Sequence, residues 1–107
     1  MYSVHITDAA EEDILTTVKY IADILKAPVA ANNLLDEIEK YENLLGDTPN
    51  MFSFVPDEYL RTRGIKYVTV KKYMMFFTID EDERIVSVIR FLYGPMDWKR
   101  ILETNNS

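Results

Sequence analysis

The chain has 107 residues, 48% of them hydrophobic and 28% charged, with 12 Lys and Arg against 18 Asp and Glu for a formal net charge of −6. That is enough chain for one core and too little for two, and the composition is globular rather than that of a disordered tail. It contains no cysteine, which excludes disulfides, thiolate nucleophiles and cysteine-ligated zinc.

No apolar run reaches the length of about 18 residues that a membrane span needs. The start, Met1-Tyr2-Ser3-Val4-His5, lacks the basic-then-apolar pattern of a signal peptide. The expectation is therefore a single cytoplasmic domain over residues 1–107. Tyr2 to Ile6 alternates polar and apolar residues and reads as an opening strand. Asp8 and Glu11 have capping-box spacing, with Asp8 as the helix cap. Ile14, Val18, Ile21 and Leu25 then form one apolar stripe on a helix reaching Lys26. Ala27-Pro28 interrupts it, and Pro28 suits the first turn of a new helix. Ala31, Leu34, Ile38, Tyr41 and Leu45 line one face of that second helix, which Gly46 is expected to stop. So short a break makes the two helices a hairpin.

Gly46 to Tyr59 reads as a loop through Pro49, Asn50 and Pro56. Its Met51, Phe52, Phe54 and Val55 are apolar enough to predict that it packs down on the fold. Three strand-like runs follow: Ile65 to Val70, Tyr73 to Ile79 and Ile85 to Tyr93. Strict alternation in the last puts Ile85, Ser87, Ile89, Phe91 and Tyr93 on one face, and Val86, Val88, Arg90 and Leu92 on the other. Lys71-Lys72 and Asp80 to Arg84 are the hairpin connections. Gly94-Pro95 ends the last strand, and Met96 to Leu102 forms a short helix before a Thr104 to Ser107 tail. The order β-α-α-β-β-β-α describes an α+β domain, a helical hairpin packed on a mostly antiparallel four-stranded sheet with a short C-terminal helix.

The net charge hides an asymmetry. Residues 1–60 carry three Lys against twelve acids, and residues 61–107 carry nine cations against six acids. Arg61, Arg63, Lys66, Lys71 and Lys72 occur with no acid between them. On a strand, Lys66 shares a face with Val68 and Val70, and Arg90 is its expected same-face neighbour from the last strand. Two such cations can hold a phosphate or meet an acidic protein segment; alternatively they pair with Asp80, Asp82 or Glu83. Other chemistry is sparse. His5 is the one histidine and reads as structural, and three glycines cannot make a phosphate loop. Asp80 to Glu83 lacks the ligand spacing of a calcium loop and reads as a solvated hairpin tip. No metal or cofactor is expected. Met74 to Phe77 reads as a buried central strand, and Trp98 as pinning the last helix to the sheet.

The ordered segments as a set resemble toxins of the RelE/ParE superfamily, the toxin half of type II toxin–antitoxin modules. The resemblance runs through the Ala10 to Ile21 helix, the Pro28 break, Gly64-Ile65-Lys66-Tyr67-Val68-Thr69-Val70-Lys71-Lys72-Tyr73 and Phe76-Phe77-Thr78-Ile79-Asp80. It continues through Ile89-Arg90-Phe91-Leu92-Tyr93-Gly94 and Asp97-Trp98. It implies a cognate antitoxin as partner and one of two activities. RelE-like members cut messenger RNA on the ribosome; here Lys66, Arg90 and Tyr93 match the basic and aromatic positions that implies. ParE-like members poison DNA gyrase and need no nuclease centre. Thr78 stands where a further Arg is frequent in the family, and Pro95-Met96 replaces a common basic pair. With those cations missing, a gyrase-type poison is the leading expectation. Arg61, Arg63, Lys71, Lys72 and Trp98 are then candidate target- or antitoxin-binding residues. The alternatives are the ribosome-dependent endoribonuclease and a non-toxic homologue retaining only antitoxin binding.

Overall fold

Val4 and Ile6 face inward from the first strand, β1 (Ser3–Ile6), and leave His5 exposed between them. These and the following coordinates come from a computed structural model that describes residues 1–105. The chain stays extended through Thr7, whose N–H donates to the Val88 carbonyl at 3.0 Å. That contact fixes where the first helix, α1 (Asp8–Lys19), begins. Thr7 rather than Asp8 is its cap, with Oγ1 accepting the Ala10 N–H at 3.3 Å. Asp8 is the first helical residue instead, because strand pairing holds the residue before it extended.

Ala10, Ile14, Val18 and Ile21 carry the apolar stripe onto the core, but Leu25 is 55% exposed. The stripe loses its period because the helix widens into a π turn over Tyr20–Ile24, where the Leu25 N–H reaches back to the Tyr20 carbonyl. Lys26 then takes a left-handed conformation (φ 55°), and the Ala27 N–H bonds the Ile21 carbonyl across it. This is the arrangement in which glycine commonly ends a helix, here made by a lysine.

The second helix, α2 (Pro28–Asp47), buries Ala31, Leu34, Ile38 and Leu45 as the spacing predicted. Gly46 does not stop it; its carbonyl instead accepts the Tyr2 N–H at 2.8 Å, tying α2 to β1. The segment after a short 3-10 turn (Pro49–Met51) packs down as expected, with Val55 buried and Phe52 edge-on to Phe77. Met51 and Phe54 are the exceptions, 66% and 40% exposed. A further helix, α3 (Glu58–Thr62), stands where the sequence reading had only loop. Asp57 caps it by accepting the Leu60 N–H at 3.0 Å, and Gly64 ends it at φ 78°. A single turn buries only Leu60, too little to give a helical period.

The remaining strands are β2 (Lys66–Val70), β3 (Tyr73–Asp80) and β4 (Ile85–Tyr93), and the last helix is α4 (Trp98–Asn105). Thr104 and Asn105, expected in the tail, belong to α4; Asn106 and Ser107 lie outside the described residues. The sheet order is β1-β4-β3-β2, with β1 parallel to β4 and the other pairs antiparallel. The hairpin covers one face over Val68, Val70, Met75, Phe77, Val86, Val88 and Phe91. A second core on the other face gathers Val55, Leu60, Ile65, Phe76, Leu92 and Leu102, with Trp98 packed against it.

Strict alternation fails in β4. Phe76 pairs with Arg90 and Phe77 with Val88, so Ile89 is an extra residue in a bulge. Phe91 therefore joins Val86 and Val88 in the hairpin-side core, and Ile89 packs with Leu92 on the other side. Among the described residues, no helix is long and apolar enough to cross a membrane.

Candidate functional site

The basic run does not form one patch. Arg61 and Arg63 ride on α3, Lys66 opens β2, and Lys71-Lys72 form the β2–β3 turn. Five strand residues separate Lys66 from the turn by about 16 Å at the usual rise. The turn is anchored from below by the Gly94 N–H, which donates to the Lys72 carbonyl at 2.8 Å. A methyl group on Gly94 would stand 3.1 Å from that carbonyl, close enough that the turn would have to give by a few tenths of an ångström. Lys71 and Lys72 are exposed, as are Arg61 and Arg63.

Lys66 is only 9% exposed. Its Nζ donates to the Phe52 carbonyl at 2.8 Å and lies 4.2 Å from the centre of the Phe54 ring. Arg61 stacks on the same ring, 5.6 Å from its centre, so Phe54 bridges two cations. The backbone makes this possible: Phe54 forms a bridge with Lys66, and the Tyr67 N–H donates to the Ser53 carbonyl. The 52–55 segment thus covers the first half of the outer edge of β2, leaving Thr69 exposed beyond it.

Arg90 stands elsewhere. Its Nε and Nη2 grip both carboxylate oxygens of Asp13 at 2.7 and 2.9 Å. Asp13 Oδ2 also accepts the Phe91 N–H at 3.0 Å. Beyond Ile6, β1 has ended and the edge of β4 would be open; Thr7 and Asp13 of α1 satisfy it instead. The Asp13 hydrogen bonds raise the Arg90 pKa above its ordinary value, against the opposing effect of burial. The expected pairing of Lys66 with Arg90 on one face is not formed. The bulge at Ile89 places Arg90 opposite Phe76, whereas Lys66 stands opposite Phe77. Neither cation pairs with Asp80, Asp82 or Glu83. Asp80 Oδ1 accepts the Glu83 N–H within the hairpin turn, and Glu81 accepts the Tyr2 hydroxyl at 2.6 Å.

Tyr93 is with Arg90 rather than with Lys66. Both line a cleft of about 260 Å³ between α1 and the start of α4, together with Asp13, Thr17, Tyr73 and Met96. Tyr73 stacks on Phe91 at 5.1 Å and leans on Tyr93 at 5.7 Å. Burial, then its neighbours Tyr93 and Tyr20, push the Tyr73 hydroxyl pKa up. Trp98 packs on Phe76 at 5.4 Å and helps build the second core. Sequence reasoning missed Asp13 and Phe54. Asp13 looks like one more acid in an acidic helix start, and Phe54 like one more apolar loop residue.

With this geometry in view, the family model described as "ParE toxin of type II toxin-antitoxin system, parDE" matches residues 4–98. The chain belongs to the ParE toxin family. Two solved structures show the same fold. The chromosomal ParDE toxin–antitoxin system from P. aeruginosa aligns with a TM-score of 0.69 at 18% identity, covering 87% of this chain and 96% of that one. The RelBE2 toxin–antitoxin complex from Mycobacterium tuberculosis aligns with a TM-score of 0.62 at 18% identity, covering 86% and 96%. No curated protein sequence matches significantly. The α+β fold and the superfamily expected from the sequence are those found, and the chain is a ParE/RelE-type toxin of a type II toxin–antitoxin system.

Proposed function

We propose that this ParE-family toxin arrests growth in the cytoplasm by binding a protein target such as DNA gyrase, and that a cognate antitoxin neutralises it. The observation that supports binding over RNA cleavage is the engagement of the two central cations. Stabilising a cleaving phosphodiester needs positive groups converging on one point. Here Lys66 is turned onto a carbonyl and a ring, and Arg90 onto a carboxylate. An antitoxin partner is supported by the two structural relatives, both determined as toxin–antitoxin systems or complexes. The outer edge of β2 suits it: an acidic extended segment laid beside Thr69 would meet Lys71 and Lys72 at one end and Arg61 and Arg63 at the other.

Inducible expression tests this reading. Growth arrest with DNA damage and intact transcripts is the expected result; messenger RNA cut within ribosomes overturns it. Normal growth on induction would leave the non-toxic homologue instead. The ribosome-dependent endoribonuclease is favoured by one observation, that Arg90 and Tyr93 share a cleft. It requires Lys66→Met and Arg90→Met to abolish toxicity while the protein stays folded; under the binding mechanism the folded variants remain toxic.

A further inference from the structure

The Asp13 carboxylate occupies a position that chemistry recognises independently of this chain. A guanidinium fork offers Nε and Nη2 in parallel, and a main-chain N–H from the adjacent residue supplies a third donor. Donors arranged in this way hold a carboxylate or phosphate group in bidentate fashion. The two side chains are largely shielded, at 19% and 15% exposure, so water does little to weaken the interaction. The donors belong to β4, whereas the oxyanion comes from the middle of α1. The surrounding cleft has room beyond the carboxylate, about 260 Å³, and contains further hydroxyls at Thr17, Tyr73 and Tyr93.

We propose that Arg90 and the Phe91 N–H form a small-oxyanion site on the edge of β4 that Asp13 fills from within the chain. Asp13 is then an internal ligand and a latch. It holds α1 against β4, and it withholds Arg90 from any external carboxylate or phosphate. A free anion reaches the site only by competing with a carboxylate tethered at very high effective concentration. The exposed Glu12 beside it repels anions further. The site selects small oxyanions, because its three donors match two oxygens of one compact group. It does not depend on which target the toxin poisons.

Chemical rescue tests the assignment. In Asp13→Ala the donors remain and the ligand is gone. Sodium formate and inorganic phosphate are titrated against sodium chloride at matched ionic strength, following the Arg90 Nε–H and Phe91 N–H by NMR. The expected result is saturable shifts of both signals in Asp13→Ala, with a dissociation constant at least about tenfold tighter than in the unmodified protein. Formate should also raise the melting temperature of the variant more than chloride does. If the unmodified protein titrates equally well, Asp13 does not occlude the site and the proposal fails. Folded Asp13→Ala with no saturable shift defeats it as well. Should that variant not fold, Asp13→Ser removes the carboxylate and leaves the guanidinium fork open while keeping a small polar side chain; a flat phosphate titration of folded Asp13→Ser is equally fatal. A short single-stranded oligonucleotide forms a separate arm. Shifts with formate and phosphate alone identify a free small anion, as proposed; equal shifts from the oligonucleotide at lower concentration overturn that choice of ligand.

Discussion

Lys66 and Arg90 are both strand cations withdrawn from solvent, yet their surroundings treat the charge differently. Arg90 meets a carboxylate, so its charge is cancelled where it stands and what remains is a rigid tie between α1 and β4. Lys66 meets a carbonyl, which accepts one of its donors, and a ring face, whose quadrupole attracts it, and both leave its full positive charge. No carboxylate lies within ion-pair distance of Lys66 among the described residues. Arg61 stands beside it on Phe54, and Glu81 lies near enough to feel the Lys66 charge without pairing with it, whereas the Arg90 charge is cancelled in place. The same residue chemistry thus leaves an uncancelled charge at one end and makes an internal fastening at the other.

The largest expected effect comes from breaking the fastening. Arg90→Met leaves the Asp13 carboxylate shielded and unpaired and should destabilise by about 3 kcal/mol, read from urea denaturation. In a double-mutant cycle with Asp13→Ala, the paired change should cost less than the sum of the singles by about 2 kcal/mol; simple additivity would contradict a shared ion pair. At the other end, Gly94→Ala pushes a methyl group to 3.1 Å from the Lys72 carbonyl. The Lys71-Lys72 turn must then shift, with an expected loss of about 1–2 kcal/mol by thermal or urea unfolding. Lys66→Met keeps the buried stem but strands the Phe52 carbonyl, at about 1 kcal/mol. Smaller again and of opposite sign is Lys26→Gly, where the left-handed backbone already suits glycine. It should stabilise by about 0.5–1 kcal/mol, and a loss would show that the lysine side chain holds the π turn.

The slightest effect concerns Asp57, which joins α3 to α4. The Leu60 N–H foremost, and then Lys99 at 2.9 Å, hold its carboxyl below the ordinary carboxylate value. A depressed value in the folded state means that its stabilisation is complete above the unfolded pKa and disappears as pH falls through the folded one. The stability difference between the unmodified protein and Asp57→Asn should therefore be greatest near neutrality and shrink below about pH 4. Urea midpoints across that range measure it.

The strands and the two long helices were legible because each has a period that only one geometry explains. Ala31, Leu34, Ile38 and Leu45 fit a helix face, and the β-branched and aromatic runs after Gly64 fit strands. Their order gave the fold class, and the resemblance built on them gave the superfamily. Local signals misled wherever a distant segment competed. Thr7 displaced Asp8 as the cap because β4 holds Thr7 extended, and Gly46 stayed helical because its carbonyl serves Tyr2. No composition or spacing announces the bulge at Ile89, since it depends on how β3 and β4 meet. That one inserted residue decides which residue of β3 Arg90 stands opposite. The sequence by itself determined which cations exist, where they fall along the chain and that they sit on a sheet. Only the tertiary structure decided which of them are engaged, because a charge takes its partner from what packs beside it, and Asp13 lies 77 residues from Arg90.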